Sequence, residues 1–167
     1  MAGGCITPNV FPFSTALQAE VSVVNYGAAA WPANNLGIYI PFVMDAPKTV
    51  KQMFWENGAA AGNSDIGIYD CVGNRLVSLG STANAGTIQV ANITDTLLTP
   101  GTYYAGMVVS TTVTETVWSA VIPVSHLRAC GVQQQAIGSS TLPNPATFAV
   151  MASAYLPMIG LSFQATM

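Results

Sequence analysis

The sequence predicts an all-β fold, an antiparallel β-sandwich of jelly-roll type with about eight or nine strands and an irregular N-terminal arm. The clearest sign is the stretch from Asp65 to Ser110, in which short runs of Ile, Val, Tyr and Thr are separated by Gly-Asn, Ala-Gly and Pro-Gly. Turn residues of this kind punctuate antiparallel strands. The 167 residues are enough for one domain with a proper hydrophobic core.

Residues 1–18 are expected to form an extended arm, followed by a single β-sandwich domain over residues 19–167. Pro8 precedes Phe11, and Pro12 separates Phe11 from Phe13 in the arm; prolines so placed argue against a regular helix or a central strand. Two interpretations stay open for this segment. It is either an aromatic arm that lies on a neighbouring subunit or a loosely ordered terminus.

The first strands are predicted between residues 20 and 56. Glu20–Val24 alternates apolar and polar residues, while the alanine-rich stretch Gly27–Asn35 is typical of a loop. Leu36–Met44 is a strong strand, rich in β-branched and aromatic residues, and Pro41 within it indicates an edge or a bulge. After a turn, Lys48–Glu56 alternates again.

The strand Lys48–Glu56 carries two adjacent large aromatic residues, Phe54 and Trp55. Successive side chains of a strand point to opposite faces. At least one of the two rings therefore faces away from the domain's core, unless the sheet is covered on both sides.

The clearest hairpin pairs Asp65–Cys71 with Arg75–Leu79 through a Gly-Asn turn. Thr87–Asn92 is the next predicted strand, and the long apolar run Thr102–Ser110 is typical of a central strand. The remaining predictions concern the C-terminal third. They are an alternating strand within Thr111–Val124, loop over most of Ser125–Pro145, a helical turn at His126–Cys130, a short helix or irregular run at Ala146–Tyr155, and a final strand at Met158–Ala165.

Charge is scarce, which excludes one class of function. Only 7% of residues are charged, with four Lys and Arg in all, against about 25% charged residues in ordinary soluble domains. Nucleic-acid binding needs clustered cations for phosphate neutralisation, so we expect no nucleic-acid partner. So few charges suit a protein whose surface is largely buried against partners.

A membrane location is the other explanation for this composition, and the sequence disfavours it. No run of about 20 apolar residues is present, and the strands are too short and too few for an outer-membrane barrel. The N-terminal residues lack a basic region and a long apolar core, so we expect no signal peptide.

The three cysteines, Cys5, Cys71 and Cys130, lie too far apart for a zinc pattern and are odd in number for a disulfide framework. We expect reduced, mostly buried thiols. A cross-link between subunits through Cys5 is the alternative.

The segment from Ile40 to Val109 resembles a β-sandwich domain that recurs in bacteriophage virion proteins. The matching motifs are Pro41-Phe42, the strand from Thr49-Val50 to Trp55, Gly67-Ile68-Tyr69-Asp70, Gly73-Asn74 and Pro100-Gly101-Thr102-Tyr103-Tyr104. Domains of this kind occur on fibres, adhesins and capsid decorations. The resemblance implies a structural role in a virion, and the absence of a shaft or collagen-like region favours a small independent protein over a fibre tip.

The expected function is that of a capsid decoration or cement protein on the capsid surface of a phage. The expected partners are further copies of the chain, as a trimer, and the major capsid protein. Obligate interfaces are apolar, so large aromatic residues are the candidate interface positions. They are Phe11, Phe13, Trp31, Trp55 and Trp118.

The alternative is a receptor-binding or carbohydrate-binding module of a tail or fibre. Such a module would stack a host glycan on exposed aromatic side chains. The candidates are Trp31, Tyr104 and Trp118. Core or interface packing is the competing interpretation of each of these rings.

Catalysis, cofactors and metals are not expected. His126 is the single histidine, and no Gly-x-Ser-x-Gly motif accompanies it. Asp65 and Asp70 lie five residues apart on one strand, so alternation sends them to opposite faces, unlike a facing pair of glycosidase carboxylates. Together with Asn63 they lack a dense calcium-loop pattern, and we interpret them as solvated strand ends.

Overall fold

A computed structural model describes residues 26–58, 60–112, 116–120 and 123–164, with backbone alone at 26–28 and 116–120. The described strands are β1 (Tyr26–Ala30), β2 (Leu36–Met44), β3 (Lys48–Glu56), β4 (Asn63–Asp70), β5 (Arg75–Ser78), β6 (Thr82–Ala83), β7 (Ile88–Leu98), β8 (Gly101–Val109), β9 (Thr116–Ala120), β10 (Gln133–Ala136), β11 (Ala149–Val150), β12 (Leu156–Pro157) and β13 (Ile159–Ser162). A short helix, α1 (Val124–Ala129), lies between β9 and β10. The fold is an all-β antiparallel sandwich.

The largest sheet has the strand order β11-β10-β2-β8-β4-β5, with β6 paired to β4. β8 lies between β2 and β4 in antiparallel register, so that Ala105 is opposite both Ile40 and Ile68. This confirms the prediction of a central strand at the long apolar run. β10 pairs with β2 only as far as Tyr39, so Pro41 lies where β2 has become an edge and its missing N–H costs nothing.

Two smaller sheets complete the described fold. The first, which we call the small sheet, has the order β13-β3-β7, and the second has the order β1-β9-β12. In the small sheet β3 is central, and Trp55 is opposite both Ile159 of β13 and Gln89 of β7. β7 is therefore an edge strand among the residues described.

One hydrophobic core lies between the large sheet and the small sheet. Ile38, Ile66 and Met107 contribute from the large sheet, and Met53 and Trp55 contribute from the small sheet. All five are at most 2% exposed. Burial on this scale is the main favourable term in folding, and it fixes the face of β3 that carries Trp55 as the inner one.

The outer face of the large sheet is also covered. Tyr39, Tyr69 and Tyr104 form a second buried cluster with Leu142, and the Phe148 ring packs against all three tyrosines with centroids 4.5–6.4 Å apart. The chain over residues 137–148, the covering segment, supplies these outer contacts. Coverage on both faces explains why β2 and β8 are apolar runs rather than alternating strands.

Most predicted strands are confirmed, and the differences have local causes. The stretch predicted as a loop at Gly27–Asn35 is wrong at its start, because Tyr26–Ala30 pairs with β9 and cross-strand pairing overrides the low β-propensity of alanine. β7 continues to Leu98 through a register shift opposite β3. β10 was missed within a segment predicted as loop. The predicted strand Glu20–Val24 and the N-terminal arm lie outside the described residues.

Candidate interaction surface

The edge strand β7 presents apolar side chains to solvent. Ile88, Val90 and Leu97 are 56%, 46% and 63% exposed, respectively. Along the first half of the strand exposure alternates, with Gln89 and Ala91 only partly buried, so the exposed residues share the outward face. A monomeric protein seldom leaves such a row of large apolar side chains in water.

The outward face continues from β7 onto β3 and β13. Phe54 is opposite Val90 on one side and Gly160 on the other. The Phe54 ring occupies the space that a Cβ atom at Gly160 would need, so the glycine lets the ring lie flat along the sheet. Trp55 points the other way, into the core. The prediction that these two adjacent rings face opposite sides is therefore confirmed.

Charge lies at the two ends of this surface, with Glu56 opposite Ile88 at one end and an ion pair at the other. Lys51 and Asp95 form an ion pair with 3.4 Å between Nζ and the carboxylate oxygen, at the register shift between β3 and β7. Exposed pairs of this kind contribute about 0–1 kcal/mol. Thr87–Ile93, by contrast, contains no charged residue, proline or glycine. The first half of β7 is therefore an edge without the charges or prolines that usually protect such strands.

The aromatic residues proposed from the sequence lie elsewhere. Trp31 is 1% exposed and lies in the core, where its indole N–H donates to the Leu36 carbonyl at 2.9 Å. Trp55 is 2% exposed and Tyr104 is 5% exposed, the latter beneath Phe148. None of these three rings offers a face to a partner or a sugar, so the exposed positions expected for them are corrected to core packing. Trp31 and Trp55 are buried in the core between the two sheets, and Tyr104 is buried in the cluster on the outer face of the large sheet.

Three other candidates lie outside what the structure describes. Phe11 and Phe13 precede the first described residue, and Trp118 belongs to β9, for which only the backbone is described. Their proposed interface or sugar-binding roles stay predictions.

The interpretation of Asp65 as a solvated strand end is wrong. Asp65 is fully buried, and its two carboxylate oxygens accept hydrogen bonds from the Gly80 N–H at 2.9 Å and the Leu142 N–H at 2.8 Å. Burial raises the pKa of this carboxyl, against the opposing effect of those amides and of the Arg75 charge. The Arg75 guanidinium donates in turn to the Leu142 carbonyl. Asp65 therefore anchors the covering segment.

Asp70 has a different and local role, on the opposite face of β4. Its carboxylate accepts hydrogen bonds from the N–H groups of Val72 and Asn74 at 3.0 and 2.8 Å. An Asx turn of this type orders a tight connection. Asp65 thus holds the covering segment and Asp70 orders the hairpin turn, and the two carboxylates do not converge on a shared cavity.

Chemical groups suited to catalysis do not converge in the described part of the chain. No group of three or more His, Cys, Asp and Glu side chains there could hold a metal ion. His126 is exposed on α1. Cys71 is disulfide-bonded, which corrects the expectation of a reduced thiol there, while Cys130 is free. The alternative that involved Cys5 falls outside the described residues.

Comparisons with known proteins identify no relative of this chain. No protein-family model, curated protein or solved structure matches this chain. Among the residues that the structure describes, no helix has the length and apolar character needed to span a bilayer.

The exposed surface was only partly visible in the sequence. Thr87–Asn92 was predicted as a strand, but nothing in its pattern distinguishes an edge strand from a central one. The available signal was the uncharged window Thr87–Ile93, because long, flat, uncharged edges are sites of strand pairing.

Proposed function

We propose that this chain is a structural protein of a bacteriophage particle, a decoration or cement protein that binds other copies of itself and the major capsid protein. The observation that carries the proposal is the exposed edge of the small sheet at β7, whose first half, Ile88–Thr94, carries no charge. The resemblance of Ile40–Val109 to phage virion domains supports a location in a phage particle. The exposed strand edge is the surface through which the protein would attach to its partners.

The mechanism is adhesive. Exposed Ile88, Val90 and Leu97 offer apolar area, and each square ångström removed from water contributes about 25 cal/mol. An open strand edge adds backbone hydrogen bonds that need no particular side chain opposite. Contacts that form only with the folded subunit stabilise both partners by mass action, which is how a cement protein would strengthen a shell.

The composition supports the same role. With 7% charged residues, the chain has few groups that would have to be desolvated when its surface is buried. Burial of unpaired charge costs several kcal/mol per ion, so an uncharged surface enters an interface at little cost. This argument holds for homo-oligomers and for shell contacts alike.

The proposal is tested first by copy number in purified particles that contain this protein. A decoration or cement role predicts a fixed stoichiometry to the major capsid protein and on the order of hundreds of copies per particle. Quantitative gel densitometry or mass spectrometry measures the ratio. About a dozen copies or fewer would contradict the proposal and favour the tail or fibre alternative.

A second test measures shell stability directly. Particles lacking this chain should lose heat resistance, and adding the purified protein back should restore it, with binding to the shell seen by co-sedimentation. Purified protein that neither binds shells nor raises their melting temperature would contradict the cement role. Glycan binding by the protein, abolished by Trp118→Ala, would instead support the receptor-binding alternative, for which Trp118 stays a candidate because its side chain lies outside what the structure describes.

A further inference from the structure

The geometry points to a specific contact: β7 pairs antiparallel with β7 of a second copy of this chain about a two-fold axis at Val90. The two small sheets then become one continuous six-stranded sheet across the contact, in the order β13-β3-β7 followed by the same strands reversed. The inference rests on the proposed homo-oligomeric role and assigns that role to named residues.

Backbone geometry identifies the free groups of the edge. The Asn57 N–H donates to the Thr87 carbonyl at 3.3 Å, and the next cross-strand pair is Glu56 with Ile88. In an antiparallel ladder, residues alternate between bonding to the neighbouring strand and pointing away from it. Ile88, Val90 and Asn92 therefore point their N–H and C=O groups at the open edge.

These groups have few partners within the described chain. The Ile88 carbonyl accepts a hydrogen bond from the Thr87 hydroxyl at 3.2 Å, and no described strand pairs with this side of β7. The partner that satisfies a row of alternating donors and acceptors is another extended strand.

The pleat restricts the register of self-pairing. Directly opposed residues of an antiparallel pair share a face, so the exposed even-numbered residues must oppose one another. Centring on Val90 pairs Val90 with its own symmetry mate, and it pairs Ile88 of each copy with Asn92 of the other. Each of these three pairs exchanges two backbone hydrogen bonds. A shift by one residue would instead place Val90 against the half-buried Ala91.

Charge selects a second copy as the occupant. Identical strands bring identical residues together, so a charged edge would repel itself, and like charges directly opposed are destabilising. Thr87–Thr94 carries no charge. The nearest charges along β7 and its partner strand are Asp95, which is already paired with Lys51, and Glu56 on β3. An uncharged strand can pair with its own copy without an opposite charge to offset repulsion. Antiparallel pairing of identical strands is two-fold symmetric, so the contact is isologous.

A two-fold contact through β7 produces assemblies with an even number of subunits. Pairing through β7 yields a dimer, or a hexamer if trimers pair, whereas a trimer by itself would have to use other surfaces. The oligomeric state in solution therefore bears on the contact independently of whether the protein binds a capsid.

The experiment exploits the self-opposition of Val90. Val90→Lys and Val90→Glu each place like charges across the axis, so each variant alone should dissociate about tenfold or more easily than wild type. An equimolar mixture of the two variants places opposite charges across the same axis and should recover association. Sedimentation velocity over a concentration series measures all three samples, and circular dichroism with thermal melting shows that each variant is folded.

Matched controls separate the contact from a general effect of surface charge. Val72→Lys changes another exposed valine, on the turn after β4 and 62% exposed, and should leave association unchanged. Val90→Thr keeps the β-branched shape without charge and should retain the dimer, which would show that the charge at position 90, and not substitution in itself, causes dissociation.

The possible outcomes are distinct. Even-numbered assemblies that both charged variants weaken and their mixture restores support the contact. A wild-type trimer with no even-numbered species, an oligomer indifferent to both charged variants, or a monomer at about 100 µM overturns it. Each of these last results would overturn the β7 contact alone. Particle stoichiometry and co-sedimentation test the proposed function separately.

Discussion

Asp65 shows how one buried residue determines the position of a whole segment. The carboxylate is held by two backbone amides that come from different loops, Gly80 after β5 and Leu142 in the covering segment. Burying a charge is costly unless hydrogen bonds replace its water. These contacts lie 15 and 77 residues away along the chain, so no local pattern could have revealed them, and the sequence favoured a solvated strand end.

Replacing Asp65 with asparagine should destabilise the fold by about 1–3 kcal/mol. The amide presents one acceptor where the carboxylate presents two, so one buried N–H of Gly80 or Leu142 would face an NH2 group. Urea unfolding followed by tryptophan fluorescence measures the change. Asp95→Asn, in a surface ion pair, is the control and should stay within about 0.5 kcal/mol of wild type. Equal losses in both variants would contradict the anchoring role.

The stability difference between wild type and Asp65→Asn should also depend on pH. Burial raises the pKa of Asp65 in the folded state above its unfolded value of about 3.9. The folded protein then binds the proton more tightly, so the stabilising contribution is complete below about pH 3.9 and is lost as pH rises through the folded pKa. The advantage of wild type over the variant should therefore be larger near pH 4 than near pH 7. An advantage that grows with pH would indicate a lowered pKa instead.

At the scale of elements, the strands with a clear local sequence pattern were predicted correctly. β2 and β3 match the predicted ranges Leu36–Met44 and Lys48–Glu56, because β-branched and aromatic runs bounded by turns have few other solutions. β1 and β10 were missed, since alanine and glutamine carry weak β-propensity and these strands exist through their partners. The same limit applies to the candidate surface, because the edge position of β7 depends on sheet order and not on its own residues.

Gly73→Ala should destabilise the protein by about 2–4 kcal/mol. Gly73 has a φ of +97°, which L residues rarely adopt, and an added Cβ would lie 2.6 Å from the Ala146 carbonyl oxygen. The change would therefore strain the hairpin turn and push away the covering segment, whose Ala146 N–H donates to the Gly73 carbonyl at 2.8 Å.

Thermal unfolding measures the loss in Gly73→Ala, and limited proteolysis within residues 137–148 reports release of the cover. Gly138→Ala is the matched control, because an added Cβ there meets nothing within 4 Å and the backbone needs no positive φ. Stability equal to that control would show that the turn and the cover are not coupled through Gly73.

At the scale of the whole molecule, the two sheets differ in what covers their outer sides. The outer face of the large sheet is closed by the covering segment, which buries Tyr104, while Trp31 and Trp55 are buried in the core between the sheets. The small sheet keeps an open edge and an apolar outward face at Val90 and Phe54. The first half of β7, Ile88–Thr94, carries no charge, so contacts made through it should depend on apolar burial and backbone pairing.

Self-association should therefore be nearly independent of salt. Raising NaCl from about 50 mM to about 500 mM shortens the Debye length severalfold and screens exposed charges, yet Thr87–Thr94 has none to screen. The dissociation constant measured by sedimentation should change by less than about threefold. The mixture of Val90→Lys and Val90→Glu is the internal control, since its restored contact depends on opposite charges and should weaken over the same range. A wild-type assembly that dissociates as readily as that mixture would place the interface on a charged surface and away from β7.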